Sequence, residues 1–478
     1  MTVTTESEKT AAALELLAAL PLEDGTRWGE RAEPWQLDDA RAVIDPDGPR
    51  RHFILRGRGM SKTTDIAAIA LVLLLTLAPP GSTSHVYAAD EEQAELTLAA
   101  MRGLIERAGL GARLRVSASA VTNTANGASI TVETSDGASA FGKRPWLQIV
   151  DELAVWPNTA NARTLWSAVV SAVPKVPGGR LVIITTAGRP EGIGAKVWAE
   201  AEGSHYWRTA REPGPAPWWS EEDIEATRAA LTASEWRRLI LCEFAEGDDA
   251  LTSPEDVEAA IRPGETVLAP RPGIEYVAAL DVGTRRDLTA LAVGHIEQRA
   301  TGRVVVVDRV LSWRPGDGQG GRVDLAEVEA SVLRVCREYG AKLRFDRMQA
   351  EQLTANLQRH GIRTEEYVFS SAGASILARR LWGALRDRAL SLPDDAELRE
   401  EFLTVRLVET GPSTVKLSNP AGHHDDIVTA VGMVAADLLG RPEVGRASIG
   451  IPRGTLDQRR SGSLARALTG RRLTTGRR

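Results

Sequence analysis

The 478-residue sequence predicts an α/β chain with two sheet domains in series, and three observations carry that prediction. From His52 to about Thr186, apolar runs of strand length alternate with helix-length stretches, the order that produces a parallel sheet covered by helices. From Tyr276 to Leu311, three apolar runs follow one another before helices and strands begin to alternate. Two Pro- and Gly-rich stretches, Arg211–Trp219 and Arg262–Gly273, separate these blocks and break regular structure.

Residues 1–45 read as an N-terminal arm that opens on an amphipathic helix and reaches Pro34-Trp35-Gln36 and a second short helix. Glu and Lys in the first ten residues argue against a targeting signal. In the first domain, expected over 46–210, Arg51–Leu55 is a strand, followed by a Gly-rich loop and an apolar helix from about Thr63 to Leu77. A strand at His85–Ala89, a helix at Glu91–Ala108 and short β segments turning at Asn126-Gly127 come next. A strand at Leu147–Asp151, a helix at Asn161–Val173 and a strand at Arg180–Thr186 complete it. Residues 211–270 read as a helical linker or lid, with helices over Glu221–Leu231 and Ala233–Ala245. The second domain, 271–440, has strands at Tyr276–Val282, Leu288–His295 and Val304–Leu311, then alternating elements and a last helix from about Asp425 to Leu439. Three hairpin-type strands followed by that alternation is the order of a ribonuclease-H-like domain.

Hydrophobic content of 43% and charged content of 26% are those of an ordinary globular chain. Cys242 and Cys336 lie far apart with no C-x-x-C spacing, which argues against a disulfide framework or a zinc site and suits a reducing cytoplasm. The most apolar stretch, Ile66–Ala78, is shorter than the ~20 residues a membrane span needs, so no membrane partner is expected. Net charge is −6 but unevenly placed: residues 441–478 carry +8, the rest −14. This basic tail is expected to be flexible when free and either contacts DNA phosphate or an acidic surface, or is merely solvated.

Between the first strand and its helix the chain reads Gly57-Arg58-Gly59-Met60-Ser61-Lys62-Thr63-Thr64. A loop of this kind at a helix N-terminus surrounds phosphates with backbone N–H groups, while a Lys reaches the β/γ oxygens and a Ser or Thr hydroxyl binds Mg2+. Here Arg56 stands where the first Gly is usual, and Ser61 where the last one is. The strand Leu147–Asp151 ends in Asp151-Glu152, an acidic pair suited to holding the metal shell and to orienting and deprotonating the attacking water. Thr185 and Thr186 end the next strand and either sense the γ-phosphate or simply close a strand. Arg58 and Arg144 stabilise transition-state charge or are surface residues. Trp35 and Gln36 present a stacking face and an amide to adenine, or belong to the core. These features point to ATP hydrolysis with Mg2+.

In the second domain Asp281 ends a buried strand and Asp346 ends another. His423-His424-Asp425-Asp426 opens the last helix, where Asp suits the positive end of the helix dipole. Asp287 follows Asp281 closely. Two Mg2+ or Mn2+ ions about 4 Å apart require such converging carboxylates for phosphodiester cleavage. Asp425 and Asp426 point about 100° apart on a helix, so one is expected as a direct ligand and the other behind it. The histidines fit a phosphate contact or a helix start.

The set resembles the large terminase subunit of tailed bacteriophages, on Pro34-Trp-Gln36, GRGMSKT at 57–63, AADEEQA at 88–94, IVDELAVW at 149–156, TTAG at 185–188, ALDVGTRRDLTALAV at 279–293, Asp346 and HHDDIVTAV at 423–431. The resemblance spans about residues 30–440. It implies a P-loop ATPase domain of the ASCE type joined to a ribonuclease-H-like nuclease. Lys62, Thr63, Asp151 and Glu152 would then drive hydrolysis, with Arg58 as the P-loop arginine and Thr185 and Thr186 coupling hydrolysis to movement. Asp281, Asp346 and Asp425/Asp426 would cut DNA, with Asp287 near the metals. The implied partners are double-stranded DNA, a portal protein, a small terminase subunit and further copies of the chain in a ring, usually of five, on the prohead in the host cytoplasm. A chromosomal repair or helicase-type ATPase–nuclease is the alternative; its usual second RecA-like domain has no second P-loop to represent it here.

Overall fold

The computed structural model describes residues 6–88, 91–133, 140–283, 288–300, 302–314, 323–411, 414–420 and 423–442. Asp287 and the tail beyond residue 442 lie outside the described residues.

The first domain is built on strands β1 (Arg51–Arg56), β2 (Thr83–Tyr87), β3 (Leu114–Val116), β4 (Ala120–Asn123), β5 (Ser129–Glu133), β6 (Leu147–Asp151), β7 (Arg180–Thr185) and β8 (Trp207–Glu212). They form one sheet in the order β3-β4-β5-β2-β6-β7-β1-β8. The run from β5 to β8 is parallel, and β3 and β4 add an antiparallel edge. β7 therefore separates the loop-bearing strand β1 from the acidic strand β6. Both strands are apolar and buried along most of their length, as expected where helices cover both faces of a parallel sheet.

Helix α4 (Lys62–Thr76) is buried on all sides from Asp65 to Leu75. It is sandwiched between the sheet and the N-terminal helices α1 (Glu6–Ala19), α2 (Trp28–Arg31) and α3 (Pro34–Ile44). No helix among the described residues is long and apolar enough to cross a membrane. The N-terminal arm is part of this domain: Ala13, Leu17, Leu20, Trp28, Val43 and Ile44 share one core with Ile66–Leu75. Their spacing of three and four residues gives α1 the single apolar stripe that α4 covers.

The second domain has strands β10 (Val277–Val282), β11 (Thr289–Arg299), β12 (Gly302–Trp313), β13 (Lys342–Phe345), β14 (Thr364–Glu366) and β15 (Leu390–Ser391). Their order is β14-β13-β10-β11-β12-β15. β10, β11 and β12 are antiparallel neighbours, while β13 runs parallel to β10 and β14 parallel to β13, which is the ribonuclease-H-like arrangement. One face carries a helix at Asp426–Gly440 and another at Ser371–Arg386, and the opposite face carries the helix Leu325–Tyr339.

Residues 211–270 do more than link. The helices Glu221–Ala230 and Ala233–Leu239 are present, the second six residues shorter than anticipated. Beyond them, β9 (Asp248–Ala250) joins the hairpin of β16 (Arg406–Gly411) and β17 (Thr414–Ser418) in a three-stranded sheet. Val257 and Ala260 of the short helix Pro254–Ala260 enter the core of the second domain, together with Leu251 before the helix and Ile261 after it.

Candidate active sites

The phosphate loop sits at the C-terminal end of β1, where α/β sheets bind ligands. α4 begins at Lys62, so its first N–H groups have no intrahelical acceptor and face the loop. Ser61 holds the position before the helix in the left-handed region, φ +55°, as the usual glycine would. Lys62 Nζ lies 3.3 Å from Glu152 Oε1 and 3.4 Å from the carbonyl oxygens of Arg56 and Gly57. Thr63 and Thr64 follow, partly exposed, in the first turn; Arg58 is exposed and Met60 buried.

Residues 212–240 clasp this loop. Gly57 N donates to Glu212 O at 3.2 Å and Arg58 N to Leu239 O at 2.6 Å. Gly59, at φ +79°, passes so close to Trp219 that an added Cβ would stand 2.6 Å from the ring. Glycine is required there twice over, for the dihedral and for the space.

Arg56 has a different task from the glycine it replaces. Fully buried, it pairs with Asp39 at 2.8 Å and Asp65 at 2.5 Å, and its guanidinium lies 4.6 Å from the centre of the Trp35 ring. Asp65 also accepts from Trp28 Nε1 at 2.8 Å and Gln36 Nε2 at 2.7 Å. A buried ion pair with further donors on the carboxylate holds α3 against α4. Of the two roles the sequence allows Trp35 and Gln36, adenine contact or core, the core contacts are in place. Trp35 stacks on Arg56, and the Gln36 amide is already bonded at both ends, its oxygen accepting from Glu33 N at 2.8 Å. Gln36 still lines a cavity of about 170 Å³ with Trp28, Ser61, Asp65 and Trp218, directly beside the loop.

Across the sheet, Asp151 is 1% exposed. Its Oδ2 accepts from Thr97 Oγ1 at 3.2 Å, and its Oδ1 is buried without a hydrogen-bond partner. Burial, and then the Glu152 charge, push its carboxyl up to about 6. An orphaned carboxylate oxygen of this kind fits a cation, so Asp151 and Thr63 suit Mg2+. Glu152 stands in the left-handed region, φ +49°, which turns its carboxylate toward Lys62. Its Oε2 accepts from Thr186 N at 3.0 Å and lies 3.1 Å from Thr185 Oγ1. The two threonines expected to sense phosphate therefore hold Glu152. Arg144 is elsewhere: it precedes β6, at the sheet edge opposite the loop, and donates to Lys175 O at 3.0 Å.

In the second domain, the parallel register sets Leu280 opposite Phe345, which places Asp281 and Asp346 side by side at neighbouring strand ends. The helix Asp426–Gly440 packs across β10, β11 and β12 and brings Asp425 and Asp426 to the same edge. Asp426 Oδ2 accepts from Leu288 N at 3.1 Å, and His424 Nδ1 is 3.8 Å away. Burial and then the charges of Asp426, Asp425 and Asp346, in that order, push Asp281 up to about 8. Four carboxylates thus converge, and a divalent cation is the counter-charge that fits them. They are neighbours that repel rather than a closed cage: no three acidic, Cys or His side chains among the described residues are drawn into ligating geometry. Asp287 lies outside the described residues.

Sequence reasoning missed Thr97, Trp219 and the Arg56–Asp65 pair. Asp65 carried a signal, as a lone charge in an otherwise apolar helix; the others carried none, because their contacts join distant segments.

The family model for the terminase large subunit ATPase domain matches residues 49–195. No curated protein matches the chain by sequence. Among solved structures, the large terminase of thermophilic bacteriophage D6E superposes in crystal form 2 with a TM-score of 0.52 at 13% identity, over 90% of this chain and 98% of that one. Crystal form 3 gives 0.50 at 14% identity, over 85% and 99%. At such identities the likeness is one of fold, and it extends through both domains. Residues 49–195 thus match the ATPase domain of terminase large subunits, and the chain as a whole shares the fold of a bacteriophage large terminase.

Proposed function

We propose that the chain is the motor and cutting subunit of viral DNA packaging: ATP hydrolysis in the first domain drives double-stranded DNA into a prohead, and the second domain cuts concatemeric DNA. The observation that carries this reading is the presence, in one chain, of Lys62 facing Glu152 and of four converging aspartates. In the first site, the N–H groups at the start of α4 and Lys62 would bind the phosphates. Thr63 and Asp151 would hold Mg2+, which supplies charge neutralisation at the phosphoryl oxygens when bound. Glu152 would orient water, with Thr185 and Thr186 fixing its angle, and the exposed Arg58 would meet charge on the nucleotide or a neighbouring copy. The cavity beside Gln36 is the place for the adenosine end.

In the second site, Asp281, Asp346 and Asp425/Asp426 would hold Mg2+ or Mn2+, with Asp287 nearby; those ions supply an activated water and stabilise the leaving oxygen. DNA contact should be mainly to phosphate and therefore salt-dependent. A portal protein, a small terminase subunit and a ring of copies, usually five, on the prohead in the host cytoplasm complete the proposal. The test is a pair of variants. Lys62→Ala should abolish ATP turnover and retain metal-dependent cleavage, and Asp281→Ala should do the reverse. Unchanged turnover in the first, or continued cutting in the second, rejects the corresponding site.

A further inference from the structure

The helix at Asp426–Gly440 has Asp425 in its N-cap position. An N-cap aspartate ordinarily turns its carboxylate onto the N–H of the second or third helical residue, here Ile427 and Val428. Asp425 makes no such bond. Both N–H groups are donated instead to Glu401 Oε2, at 2.9 and 3.2 Å. Glu401 belongs to another helix, Ala396–Thr404, and is 4% exposed. Its second oxygen, Oε1, is buried without a hydrogen-bond partner. A buried acid that leaves one oxygen unsatisfied is a costly way to cap a helix whose own cap residue is a good capper. The arrangement makes sense if the local carboxylates are wanted elsewhere.

We propose that Glu401 is a positioning residue of the nuclease centre: it caps the last helix from outside and so releases Asp425 and Asp426 to face Asp281. This rests on the nuclease reading above. Asp426 Oδ2 in turn accepts from Leu288 N, next to the start of β11, so the helix start is fixed from two directions. Without the Glu401 acceptor, the Asp425 carboxylate is the nearest replacement for the exposed N–H groups, and it leaves the metal side to serve them.

The test separates reach from charge in the full chain. Glu401→Gln keeps an acceptor at the same distance without the charge; Glu401→Asp keeps the charge but withdraws it by one methylene. Mn2+ binding is measured by calorimetry, counting the part that Asp281→Ala removes, with a cooperative melting transition as the check of folding. Glu401→Gln should bind within about threefold of the native chain, and Glu401→Asp about 10-fold or more weakly, the range for groups that orient ligands. Any other pattern, with both variants native-like or Glu401→Gln weakened, overturns the inference. A native chain lacking the Asp281-dependent isotherm overturns the nuclease reading and this inference with it.

Discussion

Replacing Asp281 by Asn should stabilise the protein while destroying its cutting activity. Burial, and then Asp426, Asp425 and Asp346, raise the Asp281 carboxyl from 3.8 to about 8 in the folded chain. A raised carboxyl favours folding only while it is protonated. Below about pH 4 both states hold the proton and there is no penalty; from there to about pH 8 stability falls, and above that the full cost applies. A shift of about 4 pH units at about 1.4 kcal/mol each sets a ceiling near 6 kcal/mol. Water reaching the partly open strand end screens the neighbouring charges and leaves about 2 kcal/mol. Asn keeps the oxygen's place and removes the repulsion. For a domain of this size, about 2 kcal/mol raises the melting temperature by about 4–8 °C. Scanning calorimetry in chelator at about pH 9 should show that rise, and the difference should vanish near pH 4. Added Mg2+ should stabilise the native chain more than the variant. A variant that melts at or below the native temperature at about pH 9 refutes the picture of a repelling acidic cluster.

Three further outcomes follow from the first domain. Ser61→Gly relieves a left-handed serine and should raise the urea midpoint by the equivalent of up to about 1 kcal/mol, the relief being partly offset by backbone entropy; a lower midpoint would mean that Ser61 is unstrained. Gly59→Ala should raise KM for ATP about 10-fold or more, and adding Trp219→Ala should restore part of the loss, because the ring is what the new methyl meets; no rescue would assign the defect to the dihedral alone. Thr97→Val removes the hydrogen bond that lowers the Asp151 carboxyl, so that carboxyl should rise above about 6 and the acid limb of the ATPase pH profile should move toward neutrality, with kcat down about 3- to 10-fold. An unmoved acid limb would take Asp151 out of the rate-controlling titration.

Legibility in the sequence tracked burial. β1, β6 and β10 are short buried runs, and each places a loop or a carboxylate at its end, so their position and the chemistry they carry could be read together. β8, with the sequence WRTARE, could not. It is a half-buried edge strand held by pairing to β1 and by Arg208 on Asp39 at 2.6 Å, both tertiary facts. β9 has three residues, and β16 and β17 are too short and polar to show a period. At the sites, residue types were legible and contacts were not. Arg56 looks like a damaged phosphate loop until Asp39 and Asp65 are seen around it. Thr185 and Thr186 look like phosphate sensors until Glu152 is found between them and the lysine.

The same threonines bear on how the two domains meet. Thr186 runs through Ala187 and Gly188 into Arg189, whose guanidinium donates to Glu409 O on β16, and Arg238 pairs with the Glu409 carboxylate. Glu409 N donates to Gly247 O at 2.9 Å, and Arg379 of the second domain pairs with Glu235 at 2.7 Å. Only two residues therefore separate Thr186, bonded to Glu152, from an arginine bonded to the hairpin that leads toward Asp425 and Asp426. Burial raises the Glu409 carboxyl and the two arginines lower it, so its charge in place depends on them. Stranding one member of such a pair costs roughly 3–5 kcal/mol. A junction of this kind resists gradual sliding. Separating the domains at this point carries that cost, because Glu409 would then keep neither arginine.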